Sequence, residues 1–479
     1  MLLKDLINGL DVKKINGSVD IDITSIAYDS RMAKKQGVFV CIDGYKVDGH
    51  KFINDAINNG VSALVVQKDV EAPCGVTVIK VEDTRYALAY ISNIFCGRPS
   101  EKMNIIGITG TKGKTTTTYM IKKILEKAKH KVGLIGTIVN KIGDYELASS
   151  RTTPECYDLQ MLFSDMKEQN VDSVVMEVSS HALELSRVAN VDFDIGAFTN
   201  LSQDHLDFHK TLDNYLEAKI KLFELCKIGV VNIDSPYGKK VVDRASCKVY
   251  TYGIDNDADF IAYDIKTYPS RVEFKVKSDF INCDIKVNIP GIFSVYNALC
   301  AISITALMSV PNDAICDGLA NVVVPGRAEI IEANDKYTIM VDYAHSPDSL
   351  ENILKTVKEY AKGRVVSVFG CGGDRDTTKR PIMGEISGRL ADFTIVTSDN
   401  PRTEEPQDII SDIEDGIKKV TSNYITITDR RSAIKYAIDN AKQDDIIVLA
   451  GKGHETYQIF KDKTIHFDER EVVKDILNK

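Results

Sequence analysis

The chain has 479 residues, and at roughly 150 residues per domain this length predicts about three domains. Hydrophobic residues make up 44% of the chain and charged residues 27%, a composition that excludes collagen-like, low-complexity and wholly disordered proteins. A total of 60 Lys and Arg against 69 Asp and Glu gives a net charge of −9, so the chain lacks the bulk positive field that sequence-independent nucleic-acid binding needs.

The sequence shows no sign of membrane insertion or of a disulfide framework. No apolar run approaches the roughly 18 residues that span a bilayer, and Asp5 lies where a signal peptide would have its apolar core. The 10 cysteines are scattered and form no C-x-x-C pair, which is typical of buried thiols in a reducing compartment. We therefore expect a cytoplasmic monomer that acts on small molecules, without a nucleic-acid partner and without membrane insertion.

Two Pro- and Gly-containing stretches divide the chain, Cys96–Lys102 and Val324–Arg327. They predict domains at residues 1–98, 99–325 and 326–479. In the first segment, strands are predicted at Gly37–Ile42 and Val61–Val66, and a helix over Phe52–Asn59 is expected to end at Gly60. This segment reads as a small mixed α/β domain.

The middle segment begins with an apolar strand, a glycine-rich turn and an amphipathic helix. The strand is Ile105–Ile108, and the helix carries Met120, Ile121, Ile124, Leu125 and Ala128 along one face. A second buried-type strand follows at Val174–Met176. Strand, glycine turn, helix and strand form the βαβ pattern of a parallel sheet.

The last segment alternates strands and helices in the manner of a Rossmann-like, doubly wound α/β sheet. Predicted strands are Val365–Phe369, Thr394–Val396, Tyr424–Thr428 and Ile446–Leu449, with helices near Glu385–Ala391, Ile409–Val420 and Ser432–Ala441. Ligands of such sheets bind beyond the carboxyl ends of the strands. Three of those ends lead into polar loops, at Gly370–Asp376, Asp399–Arg402 and Gly451–Glu455.

The glycine-rich turn Gly110-Thr111-Lys112-Gly113-Lys114-Thr115 predicts a phosphate site. Gly110 and Gly113 would let backbone N–H groups approach phosphate oxygens at a helix N-terminus. Lys114 would reach the β- and γ-phosphates, and Thr115 would offer its hydroxyl to Mg²⁺. Ile108 stands where the usual spacing has glycine, so the pattern is a shortened variant. An ordinary glycine-rich turn is the alternative.

Polar clusters follow two further stretches of the middle segment. Glu177 comes directly after a buried-type strand and is followed by Ser179-Ser180-His181, so its carboxylate can hold Mg²⁺ opposite the phosphates. The stretch Asn200–His209 contains two histidines and two acids, which suggests a second divalent ion. For Glu177 the alternative is a surface acid at the end of a strand. For Asn200–His209 it is a solvated helix N-terminus with capping Asp residues.

Together, these motifs and one later motif resemble the Mur ligase family. The motifs are Gly110–Thr116, Glu177 with Ser179–His181, Asn200–His209 and Asp342–Pro347, and the resemblance covers nearly the whole chain in order. Members of this family add amino acids to the UDP-linked peptidoglycan precursor. The resemblance implies three α/β domains, with a central P-loop-type parallel-sheet ATPase domain, and a ligase that uses ATP and Mg²⁺ to form a carbon–nitrogen bond.

The resemblance assigns catalysis, nucleotide and metal to the middle domain and the second linker. The ATP-binding residues it implies are Gly110, Thr111, Lys112, Gly113, Lys114, Thr115, Thr116, Asn297 and Arg327. The catalytic residues are Lys114, Glu177, His205 and Lys219, and the metal ligands are Thr115, Glu177, His205 and Lys219 as a CO₂-derived carbamate. Without the family, Lys219 reads as one more helix-surface lysine.

Within the family, the chain most resembles members that add meso-2,6-diaminopimelate. The motif Asp399–Arg402 matches the form associated with that amino acid, and the lysine-adding relatives lack the arginine. A guanidinium can bind the second carboxylate of diaminopimelate bidentately, and lysine has none to offer. The diaminopimelate-binding residues implied are Arg375, Asp399, Asn400, Pro401, Arg402, Gly451 and Glu455. A proline turn with a local ion pair is the alternative for Asp399–Arg402.

The remaining residues implied by the resemblance bind the UDP-sugar-peptide. Asp29-Ser30-Arg31 matches the motif of the first domain, and the residues carried over are Ser30, Thr152, Thr153, Ser179 and Arg187. The expected reaction joins meso-diaminopimelate to the D-glutamate γ-carboxylate of UDP-MurNAc-L-Ala-D-Glu through an acyl phosphate. Addition of L-lysine or another diamino acid by the same chemistry is the alternative.

Three other classes share parts of this pattern. A folylpolyglutamate synthase has the phosphate loop, but the Asp29–Arg31 domain and Asp399–Arg402 argue against it. A nucleotide-switch protein needs no amino-acid pocket on the last sheet. An inactive Mur-like interaction protein would normally have lost Lys114, Glu177 or His205, and all three are present.

Overall fold

The N-terminal segment forms one five-stranded sheet in the computed structural model, which describes residues 1–44, 47–333 and 336–478. Its elements are α1 (Leu3–Leu6), β1 (Val12–Asn16), β2 (Ser25–Ala27), β3 (Gly37–Val40), α2 (Ile53–Asn58), β4 (Ala63–Val66), β5 (Thr77–Val81) and α3 (Thr84–Phe95). The strand order is β1-β5-β4-β3-β2, with β1 antiparallel to β5 and the other pairs parallel.

Both faces of this sheet are covered, as the side chains of β4 show. Successive side chains of a strand point to opposite faces, so Val65 packs in one core with Leu88 of α3, and Leu64 packs in the other with Ile53 of α2. Burial on both faces explains the continuous apolar runs that predicted β3 and β4. The predicted C-terminal glycine of α2 is confirmed, since Gly60 has a φ of 87° and its N–H donates to the carbonyl of Ile57.

A parallel sheet with an antiparallel edge follows. Its elements are β6 (Asn104–Thr109), α4 (Lys114–Lys127), β7 (Val132–Ile135), β8 (Val139–Ile142), β9 (Tyr145–Ala148), α5 (Cys156–Glu168), β10 (Ser173–Glu177), α6 (Ser180–Glu184), β11 (Phe193–Phe198), α7 (Leu206–His209), α8 (Leu212–Ile220), α9 (Leu222–Leu225), β12 (Cys226–Asn232), α10 (Gly238–Arg244) and β13 (Lys248–Gly253). The strand order is β13-β12-β11-β6-β10-β7-β8-β9, and the first six strands are parallel.

The predicted strands at Ile105–Ile108 and Val174–Met176 are confirmed as direct neighbours, with Ile105 paired to Val174 in parallel register. Strand β6 lies in the middle of the sheet, between β10 and β11. The carboxyl ends of these three strands therefore meet at one edge, where the phosphate loop, Glu177 and the Asn200–His209 stretch begin.

The chain divides into two compact units, Met1–Asp259 with Ser303–Met308 and Phe260–Ile302 with Ser309–Lys479. The next elements along the chain are β14 (Phe260–Tyr268), β15 (Arg271–Lys277), β16 (Asn282–Val287), α11 (Ile292–Leu307) and α12 (Asn312–Ala320). Strands β14, β15 and β16 pair antiparallel in sequence order. The sequence did not predict this meander, because its outward-facing polar residues interrupt the apolar runs that marked the buried strands.

The last segment builds the doubly wound sheet that was predicted. Its elements are β17 (Glu329–Ala333), β18 (Tyr337–Asp342), α13 (Pro347–Tyr360), β19 (Val365–Phe369), α14 (Lys379–Leu390), β20 (Phe393–Val396), α15 (Pro406–Ile417), β21 (Tyr424–Thr426), α16 (Arg430–Asp439), β22 (Asp445–Ala450), β23 (Tyr457–Ile459), β24 (Thr464–His466) and α17 (Glu469–Ile476). The strand order is β17-β18-β22-β19-β20-β21, parallel except for β17.

All four predicted strands of this sheet are confirmed, and β17, β18 and the hairpin β23–β24 were missed. The three polar loops follow β19, β20 and β22, which are neighbours, so they converge on one edge. Among the described residues, no helix combines the length and apolar character needed to cross a bilayer.

Helices α14 and α15 pack unusually closely because glycines lie at their contact. A Cβ atom on Gly384 would overlap the carbonyl of Ile413, and one on Gly416 would overlap the carbonyl of Pro381. Glycine lowers intrinsic helix stability by about 1 kcal/mol relative to alanine, so these residues are explained by the close approach of the two backbones.

We predict that Gly416→Ala destabilises the protein although alanine favours helix. The added methyl must push α15 away from α14, and overpacking of this kind costs about 1–3 kcal/mol. Urea denaturation measures the change in the free energy of unfolding, from the transition in which the last segment unfolds. Ser411→Ala, an exposed position on the same helix, should change stability by no more than about 0.5 kcal/mol. Equal stability of Gly416→Ala and Ser411→Ala would contradict the packing argument.

Candidate active site

The glycine-rich turn adopts the shape that phosphate binding requires. It connects the end of β6 at Thr109 to the start of α4 at Lys114. Gly110 has a φ of 147° and Gly113 a φ of 88°, in the region that L side chains rarely adopt. The backbone N–H groups of the first turn of α4 are therefore presented at a helix N-terminus, as predicted.

Two side chains hold the phosphate loop in place: Lys114 at the end of the loop, and Asn200 just after the neighbouring strand β11. Lys114 Nζ donates to the carbonyls of Gly110, at 2.8 Å, and Thr111, at 2.9 Å. The Asn200 amide brackets Lys112, accepting from its N–H at 3.0 Å and donating to its carbonyl at 3.0 Å. The sequence placed Asn200 in a metal-binding stretch, and the structure shows it clamping the phosphate loop.

Glu177 is a buried carboxylate, so the strand-end surface acid considered from the sequence is wrong. Its side chain is 1% exposed. It accepts from Thr115 Oγ1 at 3.0 Å, from the Thr137 N–H at 2.8 Å and from Thr137 Oγ1 at 3.1 Å. Within the described part of the chain these are its only side-chain hydrogen bonds, and no cationic side chain pairs with it. A buried carboxylate beside a hydroxyl supplies the oxygen ligands that Mg²⁺ prefers, so these residues fit that ion.

Three histidines gather after β10 and β11. The His181 ring lies 4.9 Å from the His205 ring and 5.5 Å from the His209 ring, measured between centroids. His205 directly precedes α7 and has a φ of 53°, its N–H donates to Asp204 Oδ1 at 2.9 Å, and its side chain is about half exposed. Among the described residues, no Asp side chain caps this short helix, so the helix N-terminus with capping Asp residues considered from the sequence is wrong. The His205 imidazole is accessible.

His209 points the other way, into the protein. It is 5% exposed, and its Nε2 lies 2.9 Å from Ser180 Oγ. Burial, with the nearby His181 and Lys219, lowers the pKa of His209 to about 4. His209 is therefore neutral at pH 7, and it packs in the protein interior next to Ser180.

Lys219 is buried, which contradicts a helix-surface lysine. It is 1% exposed, and its Nζ lies 4.3 Å from the centroid of the Tyr215 ring. Burial and the positive charge of Lys114 hold the pKa of Lys219 well below its usual range, with Asp204 acting in the opposite direction. A lowered pKa favours the neutral, nucleophilic amine that reaction with CO₂ requires.

Four of the five residues assigned to the sugar-peptide lie together around Thr153. Thr153 Oγ1 donates to the Glu177 carbonyl at 2.8 Å and accepts from the Ser179 N–H at 3.1 Å. Arg187 donates to the Thr153 carbonyl at 3.3 Å, and Thr152 Oγ1 lies 3.0 Å from Thr137 Oγ1. The fifth, Ser30, lies in the turn Ser30–Met32 of the first sheet, where its carbonyl accepts from Asn59.

In the other unit, a buried lysine that the sequence did not assign joins the residues expected to bind the amino acid. Lys452 is 0% exposed, and its Nζ lies 3.2 Å from Asp399 Oδ1, 3.1 Å from Asn400 Oδ1 and 3.3 Å from Glu455 Oε2. Asn400 also donates to Glu455 Oε2 at 2.9 Å. A lysine between two glycines, beside a predicted carboxylate site, was the signal available in the sequence.

Arg402 connects two of the polar loops through backbone carbonyls. Its Nη1 donates to the Gly373 carbonyl at 2.8 Å, and its own N–H donates to the Ile459 carbonyl at 3.1 Å. Asp399 pairs with Lys452 and not with Arg402, so the local ion pair considered from the sequence is wrong. Pro401 lies between these two residues, and Arg375 is exposed on the third loop.

The second linker brings Arg327 to an aromatic cluster within the same unit. The guanidinium carbon of Arg327 lies 5.0 Å from the centroid of Tyr343, whose ring lies 4.8 Å from that of His454. Burial and the charge of Arg327 lower the pKa of His454 to about 4. Asn297, which the family resemblance also assigns to ATP, is buried in α11.

Comparison with known proteins identifies the family. Models of three family domains match: the "Mur ligase family, catalytic domain" at residues 22–95, the "Mur ligase middle domain" at 108–305 and the "Mur ligase, glutamate ligase domain" at 326–453. The chain belongs to the Mur ligase family. The three-domain α/β fold expected from the sequence is thereby confirmed.

Relatives within the Mur ligases match this chain end to end. The UDP-N-acetylmuramoyl-L-alanyl-D-glutamate–2,6-diaminopimelate ligase of Clostridium perfringens is 51% identical over 485 residues, covering 100% of this chain and 99% of the relative. The ligase of the same name from Caldanaerobacter subterraneus is 50% identical over 478 residues, with 100% and 99% coverage. A solved structure of an enzyme with that name superposes with a TM-score of 0.74 at 29% identity, covering 100% of this chain and 99% of the other.

We predict that His209 makes the protein less stable in mild acid. Because its pKa falls from 6.5 to about 4 on folding, the unfolded chain binds more protons between those values. The contribution of His209 to the free energy of unfolding is therefore retained above pH 6.5 and is lost as the pH falls toward 4. At pH 5 the loss is about 2 kcal/mol relative to pH 7.

Urea unfolding of the wild type and His209→Gln at pH 7 and pH 5 measures this loss. The variant should show a flatter pH profile, whereas His466→Gln should not, because Glu471 raises the pKa of the exposed His466. Parallel profiles for the wild type and His209→Gln would contradict the buried neutral imidazole.

Proposed function

We propose that this chain is the ATP-dependent ligase that joins meso-2,6-diaminopimelate to the D-glutamate γ-carboxylate of UDP-MurNAc-L-Ala-D-Glu in peptidoglycan precursor synthesis. The observation that carries the proposal is the end-to-end match, at about half identity, with relatives named for this activity. The loop Asp399–Arg402 supports the choice of amino acid.

The reaction proceeds in two steps. The substrate γ-carboxylate attacks the γ-phosphorus of ATP, an O–P bond forms, the bond to the β-phosphate oxygen breaks, and ADP leaves. The amine of diaminopimelate then attacks the acyl carbon, an amide bond forms as the nitrogen releases one proton, and phosphate leaves with the acyl carbon–oxygen electron pair. Both steps concentrate negative charge, which fixed positive groups and N–H donors stabilise.

The phosphate loop supplies those groups at the ATP end. Lys114 Nζ donates to two carbonyls of its own loop, which places it where it would reach the β- and γ-phosphates. The N–H groups at the start of α4 take the phosphate oxygens. Gly110, Thr111, Lys112, Gly113 and Thr116 form the rest of this cradle. The family resemblance also assigns Asn297 and Arg327 to ATP.

Mg²⁺ would be held by Thr115 and Glu177, and a second ion by Glu177, His205 and Lys219 carrying a carbamate. Mg²⁺ supplies charge neutralisation on the transferring phosphoryl group. The hydrogen bonds from Thr115 and Thr137 hold the Glu177 carboxylate in place for this purpose. The burial that lowers the pKa of Lys219 favours the neutral amine, which can form the carbamate, whose oxygens can bind a cation.

The amino-acid loops carry complementary charges for a substrate with two carboxylates. Arg402 and Arg375 suit carboxylates, because a guanidinium binds them bidentately. Asp399 and Glu455 suit an ammonium group, and Gly451 leaves space beside Asp399. L-lysine lacks the second carboxylate, so one arginine of the same pocket would have no substrate carboxylate to bind.

We predict that phosphate release requires ATP, UDP-MurNAc-L-Ala-D-Glu and meso-diaminopimelate together. Omission of any one substrate should reduce release to background, and L-lysine in place of diaminopimelate should lower kcat/KM at least about 30-fold, because a missing charged contact costs about 2–5 kcal/mol. A coupled phosphate assay measures both effects. Equal kcat/KM for L-lysine would overturn the specificity, and ATP hydrolysis without the peptide would point to a nucleotide switch.

We also predict that Lys219→Ala loses most activity and regains part of it with short carboxylates. Acetate or formate can enter the space left by the side chain and replace the carbamate oxygens. Turnover at 0 and 200 mM acetate, with chloride at equal ionic strength as control, measures the rescue. Lys221→Ala, which removes a partly exposed lysine two residues further along the chain, should retain wild-type turnover. Full activity of Lys219→Ala would remove the carbamate from the mechanism.

A further inference from the structure

We propose that Lys452 is a positioning residue that sets the affinity of the amino-acid pocket for diaminopimelate by holding Asp399 and Glu455 so that one oxygen of each stays open for the substrate ammonium. This inference rests on the proposed ligase function and adds to it a residue that the sequence did not assign. It is drawn from the contacts within the C-terminal sheet.

Lys452 is placed to act on side chains from two loops at once. Its Nζ contacts Asp399 and Asn400, which follow β20, and Glu455, three residues further along its own loop after β22. All three distances lie between 3.1 and 3.3 Å, and the side chain is 0% exposed. A buried ammonium needs such partners, so its position is determined by these three groups.

Each carboxylate uses only one oxygen for this contact. Lys452 meets Asp399 through Oδ1 and Glu455 through Oε2. In the described residues, Asp399 Oδ2 and Glu455 Oε1 accept no hydrogen bond. Gly451 borders Asp399 Oδ2: a Cβ there would lie 3.4 Å from that oxygen, and its φ of 117° disfavours any side chain. The open oxygen of Asp399 therefore borders a position without a side chain, and the second open oxygen belongs to Glu455, which the same lysine holds.

The charges lead to the same conclusion. Two carboxylates around one ammonium leave a net charge of −1, which one incoming ammonium group balances. Without Lys452, the two carboxylates would repel each other, and one would turn away or take up a proton. Lys452 therefore keeps both ionised and oriented before the substrate arrives, which lowers the cost of ordering them on binding.

A separate buried ion pair holds the backbone of the same loops. Arg430 is 0% exposed, pairs with Glu469 at 2.8 Å and donates to the carbonyls of Ala450, at 2.8 Å, and Ser398, at 3.4 Å. Ser398 and Ala450 directly precede Asp399 and Gly451. Because Arg430 holds the backbone at the ends of β20 and β22, we expect the loop backbone to stay in place when Lys452 is replaced. Lys452 therefore acts on the side chains of Asp399 and Glu455.

The test compares Lys452→Met, which keeps length and loses charge, with Lys461→Met, the same change at an exposed lysine of the same segment. Lys452→Met should raise the KM for meso-diaminopimelate at least tenfold and leave the KM for ATP and for the UDP-peptide within twofold. Lys461→Met should leave all three unchanged. Lys452→Arg, which keeps the charge, should give a smaller rise than Lys452→Met.

Hydroxylamine trapping separates this inference from the proposed function. Hydroxylamine attacks the acyl phosphate to give a hydroxamate and phosphate without the amino acid. Lys452→Met should form hydroxamate at the wild-type rate. If the wild type forms none, the proposed ligase function fails. If the wild type forms it and Lys452→Met loses it, or raises all three KM values together, or keeps the KM for diaminopimelate within twofold, the role of Lys452 is overturned. Loss of cooperative thermal unfolding in both Lys452 variants also overturns it, because Lys452 would then be required for folding.

Discussion

A charge that folding removes from water must be hydrogen-bonded, paired or neutralised, and this requirement shapes both candidate sites. An unpaired buried ion costs several kcal/mol. Glu177 meets the requirement with hydroxyl and N–H donors, Lys219 by a lowered pKa, and Lys452 by three oxygen partners. Each solution leaves chemistry available: carboxylate oxygens beside a phosphate loop, a neutral amine, and two carboxylates with open oxygens.

Parallel strands determine where these groups can meet. Strand β6 lies between β10 and β11, so the phosphate loop, Glu177 and the histidine stretch begin at one sheet edge. In the last sheet, β22, β19 and β20 are neighbours, and their loops converge in the same way. Residues separated by more than fifty positions, such as Asn400 and Lys452, therefore come within hydrogen-bonding distance.

The sequence predicted the elements that have a strong local signal. Continuous apolar runs identified β3, β4, β19 and β22, because strands buried on both faces have no polar alternation. The sequence did not predict the meander β14–β16, because half of its residues face outward. Gly110–Thr115 was recognisable because phosphate binding constrains a short contiguous segment. The clamp from Asn200, the burial of Lys219 and the partners of Lys452 depend on contacts between distant strands, which no local pattern encodes.

Isotope transfer tests the acyl phosphate most directly. A UDP-peptide labelled with ¹⁸O in both oxygens of the D-glutamate γ-carboxylate is converted with ATP and meso-diaminopimelate, and the released phosphate is analysed by mass spectrometry. Attack of the carboxylate on the γ-phosphorus predicts one ¹⁸O atom in each phosphate, with the other retained in the new amide. Unlabelled phosphate at full conversion would contradict it, because the carboxylate oxygen would then never have been bonded to phosphorus.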